Sequence, residues 1–124
     1  MENRHYLNEQ FNSFANVADD QWPSVGSNVS LHAYRAAIEK LWPCAVVKEG
    51  SPAAALVLLA AHDTTRWGLM LDDLAGLDPS LLRAALVVIQ GRLVLGVEPH
   101  TLITNGSARF KQLSGLWGYL SLEG

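Results

Sequence analysis

The apolar positions of this chain fall into stripes separated by turn residues, and most keep the three-and-four spacing of a one-sided helix. Leu31, Tyr34, Ile38 and Leu41 form the first stripe, behind Ser30 as a candidate N-cap. Arg35 and Glu39 lie four apart on the other side, where they can pair weakly. Pro43 has no amide hydrogen and restricts Trp42, so this helix is expected to end near Leu41 or to kink there. A second helix is expected to start at Ser51-Pro52, because proline fits a first helical position whose N–H would be unpaired anyway. The run from Ala53 to Leu74 is long enough for about six turns. Leu56–Ala61 is apolar all round, and length, the Ser-Pro start and the many Ala and Leu residues favour helix over buried strand. Leu56, Ala60, Trp67, Met70, Leu71 and Leu74 make one stripe, which Asp63 interrupts.

Gly76 is expected to end that helix with a positive φ, after which Asp78 caps and Pro79 opens the next. Leu82, Ala85, Leu86, Ile89 and Leu93 then repeat at helical spacing, with Arg83 and Gln90 opposite. Gly96 and Pro99 either end this helix or kink it before His100–Thr104. Asn105-Gly106 is a turn signal, and Ser107 is a candidate cap for a last helix with the stripe Phe110, Leu113, Leu116, Trp117 and Leu120. Gly115 and Gly118 weaken that helix by about 1 kcal/mol each relative to Ala, so it needs packing to persist. Residues 1–29 are polar and broken. A short helix over Glu2–Phe14 with Tyr6, Phe11 and Phe14 on one side, or a mobile arm, fits them equally. Helices with single stripes and short links must pack stripe to stripe. The expected fold is therefore all-α, a small antiparallel bundle of four to five helices over residues 30–124, with a partly ordered N-terminal arm over 1–29.

Composition narrows the function. Charged residues are 17% of the 124, below the usual share of about 25%, while 49% are hydrophobic, a balance that suits a protein with a partner. Nine Lys and Arg are scattered against a net charge of −3, which disfavours a nucleic-acid partner. The single cysteine, Cys44, cannot form an internal disulfide and fits a reducing cytoplasm. MENRHYLNEQ has no apolar signal core, and the longest apolar runs fall far short of the ~20 residues of a membrane span.

Catalytic chemistry is not legible. His62 and Asp63 are adjacent, and neighbours on a helix do not face one another. The four histidines and one cysteine show no CxxC, HxxH or HExxH spacing, so no metal and no cofactor is expected. Asp72 and Asp73 point about 100° apart on a helix, a poor acid–base pair, and at a helix C-terminus they oppose the macrodipole. That misfit predicts a cation, Arg66 or Arg83, pinning one of them. Of four tryptophans, Trp42, Trp67 and Trp117 fall on expected helices, where core and interface are both open to them.

The order of residues resembles the FlaF family of flagellar biosynthesis regulators. The resemblance rests on Arg66-Trp67, Asp72-Asp73-Leu74-Ala75 and the restart Leu77, Pro79, Leu82, Arg83 and Ala84. It also rests on Asn105-Gly106-Ser107-Ala108-Arg109-Phe110 with Leu113, and on Ser30–Tyr34 and Leu122–Gly124. It spans about residues 30–124, with Trp67 following Arg66 directly where that family usually has a residue between. It implies a small, helical, cytoplasmic, non-enzymatic protein that binds flagellin and acts in its synthesis and export, in concert with FlbT. No membrane, nucleic-acid or small-molecule partner is implied. The helix-in-groove mode would cover the amphipathic ends of unassembled flagellin. On stripe position and resemblance together, the expected contact residues are Trp67, Leu71, Asp73, Leu82 and Arg83, with Phe110, Leu113 and Trp117 as a second wall or lid. Arg66, Asp72, Gly76, Asp78 and Pro79 are expected to shape the hinge. The rival reading is an antitoxin- or immunity-type binding module.

Overall fold

The computed structural model describes residues 29–47 and 49–122. Among them are five α-helices and no strand: α1 Leu31–Ala45, α2 Pro52–His62, α3 Leu71–Ala75, α4 Pro79–Gln90 and α5 Gly106–Leu116. A π-helical segment, Gly91–Leu95, continues α4, and 3-10 turns occupy Pro99–Leu102 and Gly118–Leu120. The expectations for residues 1–28 lie outside the described residues.

The molecule is an all-α bundle in which α1, α2 and α4 pack on one another. α5 lies against α2 and the Pro99–Leu102 turn, and reaches α1 through its side chains. α2 is the central element. Its Ala54–Leu59 run and Ala61 are all buried, which explains a sequence that is apolar all round. Ser51 Oγ accepts the Ala54 amide at 3.0 Å and Pro52 opens the helix, as the Ser-Pro start predicts.

Several boundaries differ from the sequence expectation. α1 runs through Pro43 to Ala45. Proline there removes one hydrogen bond in the last turn, and burial of Leu41 and Ala45 outweighs that loss. Trp117 Nε1 also donates to the Ala45 carbonyl at 2.7 Å, satisfying a helix-end acceptor. Glu39 does not use Arg35 as its ion partner but accepts from Arg109 of α5 at 2.9 Å.

The expected six-turn helix is two helices. It stops at His62 because Asp63 leaves helical geometry, at φ −144°, ψ 92°. Its carboxylate accepts from the Thr65 amide at 3.2 Å and the Thr65 hydroxyl at 2.8 Å. Asp72 and Asp73 thus stand in the first turn of α3, where the helix dipole favours them. The Met70 amide donates to Asp73 at 2.8 Å, so an N-terminal cap, rather than a cation, holds this carboxylate. Gly76 ends α3 at φ −84°, not with a positive φ. The left-handed glycine is Gly96, at φ 69°, where α4 and its π-helical extension finish.

Asp78 caps α4 as expected, accepting from the Ser80 and Leu81 amides at 2.9 and 3.0 Å. Those bonds, that from Leu81 above all, hold its carboxyl below the usual carboxylate range. The buried stripe of α4 is Ala84, Ala85 and Val88, with Leu86 and Leu93 outside, so the expected stripe is rotated about the axis. Small residues face α1 and admit close approach. A Cβ on Gly91 would run into the Tyr34 ring. α5 begins at Gly106 with Asn105 as its cap in the left-handed region at φ 57°, one turn signal earlier than a Ser107 cap.

Candidate functional site

Two features stand outside the packed core. The first is an apolar groove between α2 and α4. Val57, Ala60, Ala61 and Thr64 form one wall, Ile89, Arg92 and Leu93 the other, and Leu69 lies at its edge, around a cavity of about 150 Å³. Beside it the chain exposes large apolar side chains. Met70 and Leu71, directly after Leu69, are 68% and 82% exposed, and Leu93 is 74% exposed. Along α4 and its π-helical extension, Leu86, Ile89 and Leu93 follow at three and four residues. Large apolar side chains exposed together beside a groove are the kind of surface on which binding sites are built. Arg92 shapes this groove from below, its Nε donating to the Ala61 carbonyl at 2.9 Å near the end of α2.

The residues expected at a partner surface are divided by the fold. Leu71 is exposed, two residues after the groove residue Leu69. Asp73 serves the α3 cap, Leu82 is half-buried, and Arg83 lines a different hollow with Ala36, Lys40 and Ser80. Trp67, Phe110, Leu113 and Trp117 are core, at 0–2% exposure, because their large rings and the Leu113 side chain fill the space around α2. Leu113 also lines a cleft beside Trp42. Of the hinge residues, Gly76, Asp78 and Pro79 make the α3–α4 connection. Arg66 instead turns to the end of the described chain. Its Nε donates to Ser121 Oγ at 3.3 Å, its carbonyl accepts the Leu122 amide at 2.8 Å, and its guanidinium lies 5.2 Å from the Trp67 ring centre.

A larger cleft of about 430 Å³ opens beside Trp42, Val46, Gln112 and Leu116. Its charged residue, Arg109, stacks 4.5 Å from the Trp42 ring centre and is already paired with Glu39. An arginine so engaged is a strut of the α1–α5 contact.

The second feature is a cluster that sequence spacing concealed. His62 ends α2, and Glu98 and His100 flank Pro99 at the 3-10 turn. The fold brings one potential ligand atom from each to within 4.8 Å of the others. Glu98 Oε1 lies 3.9 Å from His62 Nδ1 and 3.5 Å from His100 Nδ1. Both Nδ1 atoms are buried and neither has a hydrogen-bond partner. The imidazoles meet edge to face, with centroids 4.8 Å apart, and His62 packs on Phe110 at 4.9 Å. Burial, then His100, push the His62 pKa below its usual value, against the opposing pull of Glu98 and Asp63. The shift favours the neutral imidazole, which carries a lone pair on one ring nitrogen. Thirty-five residues or more separate His62 from its two neighbours, so no local motif announces the group. The Glu-Pro-His triplet is the part that a sequence scan can see.

No curated protein and no solved structure matches the chain. The model of the family of unknown function DUF7673 matches residues 35–118, a span that holds both the groove and the His62–Glu98–His100 cluster, and the chain belongs to that family.

Proposed function

We propose that this protein works by binding another protein, taking an amphipathic helix of its partner into the groove between α2 and α4. The observation that carries this reading is the set of exposed Met70, Leu71 and Leu93 side chains around an apolar cavity. A helix laid there would offer apolar anchors at i, i+3, i+4 and i+7 and keep its polar face in water. The low share of charged residues keeps the desolvation cost of such docking small.

The resemblance to FlaF proteins supplies the partner: flagellin, whose unassembled termini carry amphipathic helices. On this reading the protein is a non-enzymatic cytoplasmic chaperone and regulator of flagellin synthesis and export, acting with FlbT. Binding that orders a partner segment is tempered by the entropy of ordering, which suits a cargo that must be released. An antitoxin- or immunity-type module would use the same groove on a different partner.

The test is a pull-down of full-length and end-truncated flagellin from the same organism by the wild type and by a Leu71→Glu/Leu93→Glu variant. Both positions are exposed, so the variant keeps its fold. Capture that depends on one flagellin end and falls at least tenfold, about 1.4 kcal/mol, in the variant supports the proposal. Equal capture by both proteins discards the groove. Capture of a toxin in place of flagellin discards the partner.

A further inference from the structure

The geometry points to a divalent transition-metal site, with zinc as the best-matched ion, formed by His62, Glu98 and His100. The donor set comes first. Two imidazole nitrogens and one carboxylate oxygen are the borderline ligands that zinc prefers, and three protein ligands leave a fourth position for water. Hard cations such as magnesium and calcium favour all-oxygen shells and are poorly served here.

The distances agree. Zinc bonds of about 2.0–2.2 Å to nitrogen and oxygen make tetrahedral edges of about 3.4 Å. The Glu98–His100 edge is 3.5 Å and the Glu98–His62 edge 3.9 Å. All three ligand atoms fall within 4.8 Å of one another, so a small rotation of one ring closes the shell. The two Nδ1 atoms are buried without a hydrogen-bond partner. A buried polar atom left unpaired costs about 1–3 kcal/mol, and a metal ion satisfies both at once.

The backbone beside each ligand is held from a distance. Arg92 Nε donates to the Ala61 carbonyl at 2.9 Å, next to His62. The Tyr34 hydroxyl donates to the Val97 carbonyl at 2.7 Å, next to Glu98. Gly106 lets the His100 carbonyl sit directly against the start of α5, where any Cβ would collide with it. Three contacts therefore hold two chain segments, the end of α2 and the turn around Pro99, so that their side chains converge. Packing of apolar side chains alone does not require that convergence.

The experiment uses the full chain freed of any histidine tag and stripped with chelator. Zinc is titrated by calorimetry, cobalt is followed by its visible d–d bands, and bound metal is counted by elemental analysis after dialysis. The expected result is one equivalent of zinc at micromolar protein, tetrahedral cobalt bands, and a melting temperature that rises with zinc. His62→Phe and His100→Phe keep ring packing against Phe110 and are expected to abolish uptake, while His32→Ala leaves it unchanged. Glu98→Gln changes an exposed side chain, keeps the fold, and is expected to weaken binding at least tenfold. It decides the matter if a phenylalanine variant does not fold. Binding only at millimolar zinc, equal binding by Glu98→Gln, or octahedral cobalt spectra would overturn the site. Loss of flagellin capture has no bearing on these readouts, so the two proposals fail separately.

Discussion

At the scale of single residues, three glycines of unlike surroundings show how position decides the effect of one methyl group. Gly106 abuts the His100 carbonyl, and backbone cannot give way cheaply. Gly106→Ala is expected to cost about 2 kcal/mol or more. Gly115 has open space around the place of a Cβ and lies inside α5, so Gly115→Ala is expected to add up to about 1 kcal/mol. Gly96 has equal space but a φ of 69°, so its alanine is expected to cost about 1 kcal/mol. Urea unfolding of the three variants gives the signs directly. Tyr34 provides a pH-dependent case. Burial pushes its pKa up from 10.0 to about 12, against the pull of Arg92. The unfolded chain gives up this proton first, so the stability from Tyr34 is complete below pH 10 and lost as pH rises towards 12. A Tyr34→Phe variant should show a flatter alkaline limb of stability against pH, measured by denaturant midpoint.

At the scale of elements, α4 separates periodicity from burial. Its apolar residues cover more than one face. Leu86 and Val88 are both good helix-stripe residues, yet Val88 is buried against the bundle and Leu86 faces out. Val88→Ala is expected to cost about 2 kcal/mol and Leu86→Ala to stay within about 0.5 kcal/mol, by chemical denaturation. The same ambiguity rotated the expected stripe, since a pattern apolar over a wide arc does not say which part meets α1. The break after His62 had a legible signal in Asp63-Thr64-Thr65, whose side chains compete with helical bonding. Its weight against a long Ala- and Leu-rich run depended on where Trp67 found room. Trp67 reaches the core once the chain leaves the helix, and α3 then restarts with both acids at its N-terminus.

At the scale of the whole molecule, Arg92 joins the two features outside the core. It lines the groove and also bonds to Ala61, beside His62. Arg92→Met keeps the apolar stem but leaves that carbonyl unpaired, and is expected to cost about 1–3 kcal/mol. On the metal proposal it also lowers zinc affinity, because the end of α2 is no longer held, and parallel unfolding and zinc titrations read both effects. No helix among the described residues is long and apolar enough to cross a membrane. The exposed apolar side chains thus stand beside a groove, on a bundle with its own core.

The sequence by itself determined the all-α class, the starts at Ser30, Ser51-Pro52 and Asp78-Pro79, and the helical spacing of Phe110, Leu113 and Trp117. Caps and periodicity act within a few residues, so neighbours in the chain suffice to reveal them. Only the tertiary structure decided that Trp67, Phe110, Leu113 and Trp117 face inward, which side of α4 is buried, and that His62 meets Glu98 and His100. Those outcomes depend on which faces meet when helices pack. That choice reduces the apolar area the whole chain exposes to water, so residues far apart in sequence settle it together.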